Sequence, residues 1–135
     1  MAPNPPHRKV LIIEDEPSIR NVLYVLVAGL GYDVDAASDA QQALSMIGRD
    51  QFDAVLLDLR ASQLPPEQMV CAITELRPSL VGRVLVISGE AAAPSTLQML
   101  ERYAVPHVPR NRVTSDLSRS IAEMDGLTSF IFTPR

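Results

Sequence analysis

The chain predicts a single-domain, doubly wound α/β fold, in which helices cover both faces of a parallel sheet. Three observations carry this. Short aliphatic runs recur along the sequence, amphipathic segments at helical spacing alternate with them, and five such βα units fill 135 residues. That length and an apolar fraction of 47% suit one hydrophobic core.

Val10-Leu11-Ile12-Ile13 reads as the first strand, buried on both faces because it has no polar alternation. Glu14-Asp15-Glu16 ends it, and Pro17 suits the first position of a helix. Ile19, Val22, Leu23, Leu26 and Leu30 recur at helical spacing until Gly31 stops that helix. Tyr32 to Ala37 is the second strand. Ser38 or Asp39 then caps a helix whose apolar stripe is Ala40, Ala43, Leu44 and Ile47. Ala54-Val55-Leu56-Leu57 forms the third strand and closes on Asp58, after which Pro65 to Leu76 forms a helix stopped by Pro78. Arg83 to Ile87 is the fourth strand, ending at Ser88-Gly89, and Pro94 to Tyr103 the fourth helix. Val105 to Pro109 makes a poor strand, since two prolines withhold ladder donors, and belongs at a sheet edge. A fifth helix follows, carrying Leu117, Ile121 and Met124.

Residues 1–7, with Pro3, Pro5 and Pro6, are expected to form a flexible tail, and the domain to span residues 8–125. Residues 126–135 remain as a C-terminal extension. It holds two of the three phenylalanines, and Phe130, Ile131 and Phe132 either fold back on the domain or contact a partner or second copy, making a homodimer.

A net charge of −4 with 12 scattered basic residues argues against a nucleic-acid surface. No apolar stretch approaches a membrane span, and Met1 to Pro6 lacks the apolar core of a signal peptide, so the cytoplasm is the expected compartment. The lone Cys71 has no internal disulfide partner and reads as a small core residue.

The chemistry concentrates at strand ends. If the first and third strands are neighbours joined by a right-handed crossover, Glu14, Asp15 and Asp58 meet in one crevice at the carboxyl edge of the sheet. Acids in a first helical turn also serve the helix dipole. The loop has no glycines to bring bare amides to a phosphate, so it should attract a hard divalent cation such as Mg²⁺. An unpaired Asp58 at the end of an apolar strand would be costly. Ser88 and Arg110, ending the fourth strand and following the fifth, add a hydroxyl and a permanent cation to the same rim.

Lys9-Val-Leu-Ile-Ile-Glu-Asp-Glu-Pro-Ser-Ile-Arg20, Phe52-Asp-Ala-Val-Leu-Leu-Asp-Leu-Arg60 and Val84-Leu-Val-Ile-Ser-Gly-Glu90 together resemble the receiver domain of bacterial two-component response regulators. The resemblance spans roughly residues 8 to 125 and orders all five βα units. It implies a flavodoxin-like (βα)5 sheet of strand order 2-1-3-4-5. Asp58 is then the phosphoacceptor, and Mg²⁺ is held by Asp15, Asp58 and the backbone carbonyl of Arg60, with Glu14 assisting through water. It also implies a sensor histidine kinase or histidine phosphotransfer protein as donor, a downstream protein target, and an output face on helix four, strand five and helix five. Ser88 takes the place of the hydroxyl that bonds the phosphoryl group, and His107 that of the aromatic switch residue. A histidine there would make the switch sensitive to pH. Arg60 and Glu90 would lie near the phosphate.

Two departures flank this site. Arg110-Asn111 stands where receivers carry lysine and proline, and arginine's longer, planar arm is expected to bind phosphate without sitting between it and Asp58. The loop from Arg60 to Pro66 also lacks the family's proline and glycine positions. The expectation is a stand-alone, phosphate-accepting receiver. One alternative is a degenerate receiver acting as a phosphorylation-independent interaction module. Another is a small Mg-dependent aspartyl phosphatase of the haloacid-dehalogenase type, which expects a second Asp two residues after its nucleophile, whereas Asp15 is followed by Glu16 and Pro17.

Overall fold

Five parallel strands in the order β2-β1-β3-β4-β5 carry the molecule in a computed structural model that describes residues 8–61, 64–89 and 93–132, with side chains as far as residue 124. The tail 1–7, Ser62 and Gln63, Glu90, and the side chains of Phe130, Ile131 and Phe132 lie outside the described residues. The strands are β1 (Lys9–Ile13), β2 (Asp33–Ala37), β3 (Ala54–Asp58), β4 (Val84–Ser88) and β5 (His107–Pro109). Between and after them run α1 (Pro17–Gly29), α2 (Ala40–Arg49), α3 (Pro66–Leu76), α4 (Pro94–Arg102) and α5 (Val113–Phe132). The expected fold and strand order are both observed. Three single-turn 3-10 segments, Leu59–Ala61, Pro78–Leu80 and Arg110–Arg112, were not legible in the sequence.

Residue parity along the strands assigns the two cores, because successive side chains of a strand point to opposite faces. Val10, Ile12, Ala54, Leu56, Leu85, Ile87 and Val108 pack with Leu23 and Val27 of α1 and with Leu117, Ile121 and Met124 of α5. Leu11, Ile13, Val55, Leu57, Val84 and Val86 pack on the other side with Ala43, Ile47, Met69, Ile73 and Leu100 of α2, α3 and α4. All five residues of β3 and of β4 are buried, as the absence of alternation implies.

Several boundaries and faces differ from the sequence reading. On α1 only Leu23 and Val27 are buried, whereas Val22 and Leu30 are 47% and 44% exposed, because a single stripe of the helix meets the sheet. Gly31 follows the end of α1 with φ +98, a conformation that accounts for its stop signal. Cys71 is exposed rather than a core residue, since it lies on the face of α3 turned from the sheet while Met69 and Ile73 are buried. The edge strand β5 has only three residues, and α5 runs on to Phe132.

Asp39 accepts the amide of Gln42 at 2.8 Å as the N-cap of α2, and at its other end Arg77 donates Nε to the Ile47 carbonyl at 2.9 Å and Nη2 to that of Gly48 at 3.2 Å. These are carbonyls that a helix terminus leaves unpaired. Arg77→Met is therefore expected to lower stability by about 1–2 kcal/mol, read as a shifted urea midpoint. An unchanged midpoint would show that water serves these carbonyls equally well.

Candidate functional site

Register places the acids at one level of the sheet. Ile13 pairs with Leu57, so Glu14 and Asp58 follow on adjacent strands, while Asp58 pairs with Ile87, and Ile87 with Val108. Glu14 and Asp58 continue the parity of Ile12 and Leu56, which puts them on the α1 and α5 side of the sheet. A cavity of about 270 Å³ opens there, walled by Ser18, Ile19, Val22 and Leu23 of α1, Val113 and Thr114 of α5, and Asp58, Ile87 and Arg110.

Asp58 is fully buried. Its Oδ1 accepts the Arg60 amide at 2.9 Å and a charged hydrogen bond from Nη2 of Arg110, whose side chain is 22% exposed. Arginine's longer arm thus reaches the carboxylate itself. The short β5 and the 3-10 turn at Arg110–Arg112 bring its backbone close enough for the guanidinium to extend across the ends of β4 and β3. Asp58 Oδ2 has no hydrogen-bond partner among the described residues.

Glu14 is also fully buried, with its backbone amide bonded to the Ala37 carbonyl at 3.0 Å. One side-chain oxygen, Oε1, accepts the Glu16 amide at 3.1 Å, and Oε2 has no partner among the described residues. Burial, with the neighbouring Asp58 carboxylate adding to it, pushes the Glu14 carboxyl from its ordinary 4.5 up to about 8. Asp15 is exposed at the rim of the crevice. Among the described residues no group of three or more His, Cys, Asp or Glu side chains is gathered for a metal. The buried acids nevertheless fit a divalent cation, since each keeps a carboxylate oxygen with no hydrogen-bond partner among the described residues.

Ser88 ends β4 almost fully buried and pairs with Pro109. His107 is exposed, so the inward position implied for an aromatic switch residue is not the one it holds here. The side chain of Arg60 reaches Glu16 at 3.9 Å. Three contributors escaped the sequence reading. Arg20 donates to the Glu14 carbonyl at 3.0 Å and so fixes the β1–α1 turn, and Val113 and Thr114 close the cavity from α5. Parity was the available signal, because Val10, Ile12 and Glu14 share one face with Ala54, Leu56 and Asp58.

The raised Glu14 has a consequence for metal-free protein. Folded Glu14 keeps its proton where unfolded chain has released it, so the folded state binds more protons and rising pH favours unfolding. Stability should fall by a few kcal/mol in order of magnitude between about pH 4.5 and about pH 8. Urea midpoints across that range, in the presence of a chelator, measure the slope, and Glu14→Gln should flatten it. A slope that survives in the glutamine variant would assign the effect to another group.

Fold and site together define a class: a doubly wound α/β module whose crevice, at the carboxyl edge of the sheet, is built around one buried aspartate flanked by an acid and a cation. Residues 10–122 match the family model of the response regulator receiver domain, and the chain belongs to that family, a phosphorelay signalling domain of two-component systems. The transcriptional regulatory protein KdpE of Staphylococcus aureus is 30% identical over 131 residues, covering 93% of this chain and 55% of KdpE. A probable transcriptional regulator, ycf27, of Porphyridium aerugineum is 43% identical over 56 residues, 42% of this chain and 23% of its own length. This chain therefore spans about half or less of these curated relatives. A receiver domain from Clostridium thermocellum shares the fold with a TM-score of 0.79 at 20% identity, over 92% of this chain and 98% of that one. The receiver domain of sensor histidine kinase PA1611 from Pseudomonas aeruginosa, which holds a magnesium ion in its active-site cleft, matches with a TM-score of 0.75 at 20% identity, over 90% and 99%.

Proposed function

We propose that this chain accepts a phosphoryl group on Asp58 from a sensor histidine kinase or a histidine phosphotransfer protein and relays the signal by protein contact. The observation that carries this is a fully buried aspartate at the tip of β3 with a guanidinium on one oxygen and, among the described residues, no partner on the other. An Asp58 oxygen attacks phosphorus as the bond from phosphorus to the donor's imidazole nitrogen breaks, leaving an acyl phosphate on the chain and a free histidine on the donor. Arg110 and the Arg60 amide offer positive charge and a hydrogen bond to the oxygens that become electron-rich. Ser88, at the end of the neighbouring strand, has a hydroxyl to donate to the bound phosphoryl group.

Glu14, Asp15 and Asp58, with the Arg60 carbonyl, would hold Mg²⁺, whose chemistry when bound is to neutralise charge on the transferring group. The cavity beside Asp58 gives the donor its approach. Its α1 wall continues outward into exposed Val22 and Val25, an apolar rim suited to a helix that carries the phosphohistidine. Output through α4, β5 and α5 fits the exposed His107 and Tyr103 on that side.

Nothing in this chain's charge calls for nucleic acid, and DNA contact by relatives named as transcriptional regulators is taken to lie in the parts this chain does not match. No helix among the described residues is long and apolar enough to cross a membrane, which accords with a cytoplasmic site of action. The test is to incubate the chain with Mg²⁺ and a small acyl phosphate, then locate any added phosphoryl group by peptide mass. One label on the peptide containing Asp58 is expected. Absence of label would favour the phosphorylation-independent module, and many donors consumed per chain would favour a phosphatase.

A further inference from the structure

Arg110 differs from the other groups of the crevice in being a permanent cation already engaged. Its Nη2 bonds Asp58 Oδ1, its Nε has no partner among the described residues, and its Nη1 lies beside Gly89. The charge of Asp58 is thus countered by the chain itself. A planar guanidinium that cannot lose its proton holds a carboxylate oxygen more directionally than a hydrated ammonium does.

We propose that Arg110 is a latch on the phosphoacceptor, competing with a divalent cation for the negative charge of Asp58 and holding the site in a metal-poor resting state. The proposal rests on the phosphoacceptor reading above and says how that site is regulated. Two forces produce the competition. Like charge repels: a guanidinium on Asp58 Oδ1 disfavours a doubly charged ion on the neighbouring Oδ2, by on the order of tenfold in affinity even with solvent screening. Magnesium also sheds water reluctantly, so it gains little at a carboxylate whose charge is already balanced. Engagement by a cation and phosphoryl group is then expected to free Arg110 from Oδ1, where the guanidinium becomes available to the incoming phosphoryl oxygens. The latch raises the Mg²⁺ concentration at which the domain becomes competent and removes the nucleophile from unproductive encounters.

Calorimetric titration of Mg²⁺ into the full chain tests this, with the ¹⁵N-detected amide of Arg60 as a second readout, because that amide donates to Asp58 Oδ1. Wild type, Arg110→Met, Arg110→Lys and Asp58→Asn are compared, each first shown to be folded by its amide spectrum. Arg110→Met should bind Mg²⁺ at least about tenfold more tightly than wild type, Arg110→Lys should fall between them, and Asp58→Asn should lose the binding. Equal affinity in wild type and the Met variant would overturn the latch while leaving the metal site and the proposed function standing. Absence of Asp58-dependent binding in every protein would overturn the metal site itself, and the latch with it. If the Met variant does not fold, Arg110→Lys decides, and wild-type affinity in that variant overturns the latch.

Discussion

Asp58→Asn is expected to abolish incorporation of phosphoryl from an acyl phosphate, while leaving the chain folded. The substitution conserves shape, and Asp58 is fully buried between β1 and β4, so packing changes little. An amide is no nucleophile toward phosphorus at neutral pH, so the acyl phosphate cannot form. Removal of this charge also relieves Glu14, which Asp58 helps to raise, and the Glu14 carboxyl should titrate closer to its ordinary range. The pH slope of stability in metal-free protein then becomes shallower. Mass mapping after incubation with donor and Mg²⁺ checks the first effect, and urea midpoints against pH check the second. Persistent single labelling of the asparagine variant would move the acceptor to another residue and remove the basis of the proposed chemistry.

Arg110→Met is expected to destabilise the metal-free chain by about 3–5 kcal/mol, the usual cost of removing one partner of a buried ion pair. The reason is the burial of what remains. Asp58 and Glu14 are both fully buried, each with an oxygen that has no partner among the described residues, and without Arg110 the crevice keeps its acids and loses the cation that meets Asp58. Millimolar Mg²⁺ should return part of the loss, because a ligand bound only by folded protein adds stability in proportion to the logarithm of its saturation. Urea midpoints with chelator and with Mg²⁺ give both quantities. Combining Arg110→Met with Asp58→Asn should reduce the cost sharply, since the two substitutions remove both partners. A loss below about 1 kcal/mol in the single variant would mean that solvent already screens the pair as it does at a surface.

The elements were legible because each is written in local periodicity. Four-residue aliphatic runs gave β1, β3 and β4, and Pro17, Asp39 and Gly31 marked helix starts and a stop for reasons confined to a single turn of chain. Features that depend on several elements at once were not legible. Val22 and Leu30 belong to the apolar pattern of α1 and are nonetheless exposed, because how wide a stripe is buried depends on how the helix sits on the sheet. Cys71 failed in the same way on α3. At the site, the strand ends were expected to set Glu14, Asp58, Ser88 and Arg110 on one rim, and the structure joins Asp58 with Glu14 and Arg110. The exposure of Asp15 and His107 depends on turn geometry and on the shortness of β5, which residue type does not report.

The sequence by itself determined the five βα units, the family and the carboxyl edge where acids and a cation converge, since alternating periodicity and strand-end chemistry are properties of neighbours along the chain. Only the tertiary structure decided that Asp58 meets Arg110 rather than an unfilled crevice, and that Glu14 lies beside it with a carboxyl pushed up to about 8. The physical reason is that burial and charge pairing are set by distance through space, and the register of β1, β3 and β4 with the reach of one long side chain brings together residues separated by 52 positions.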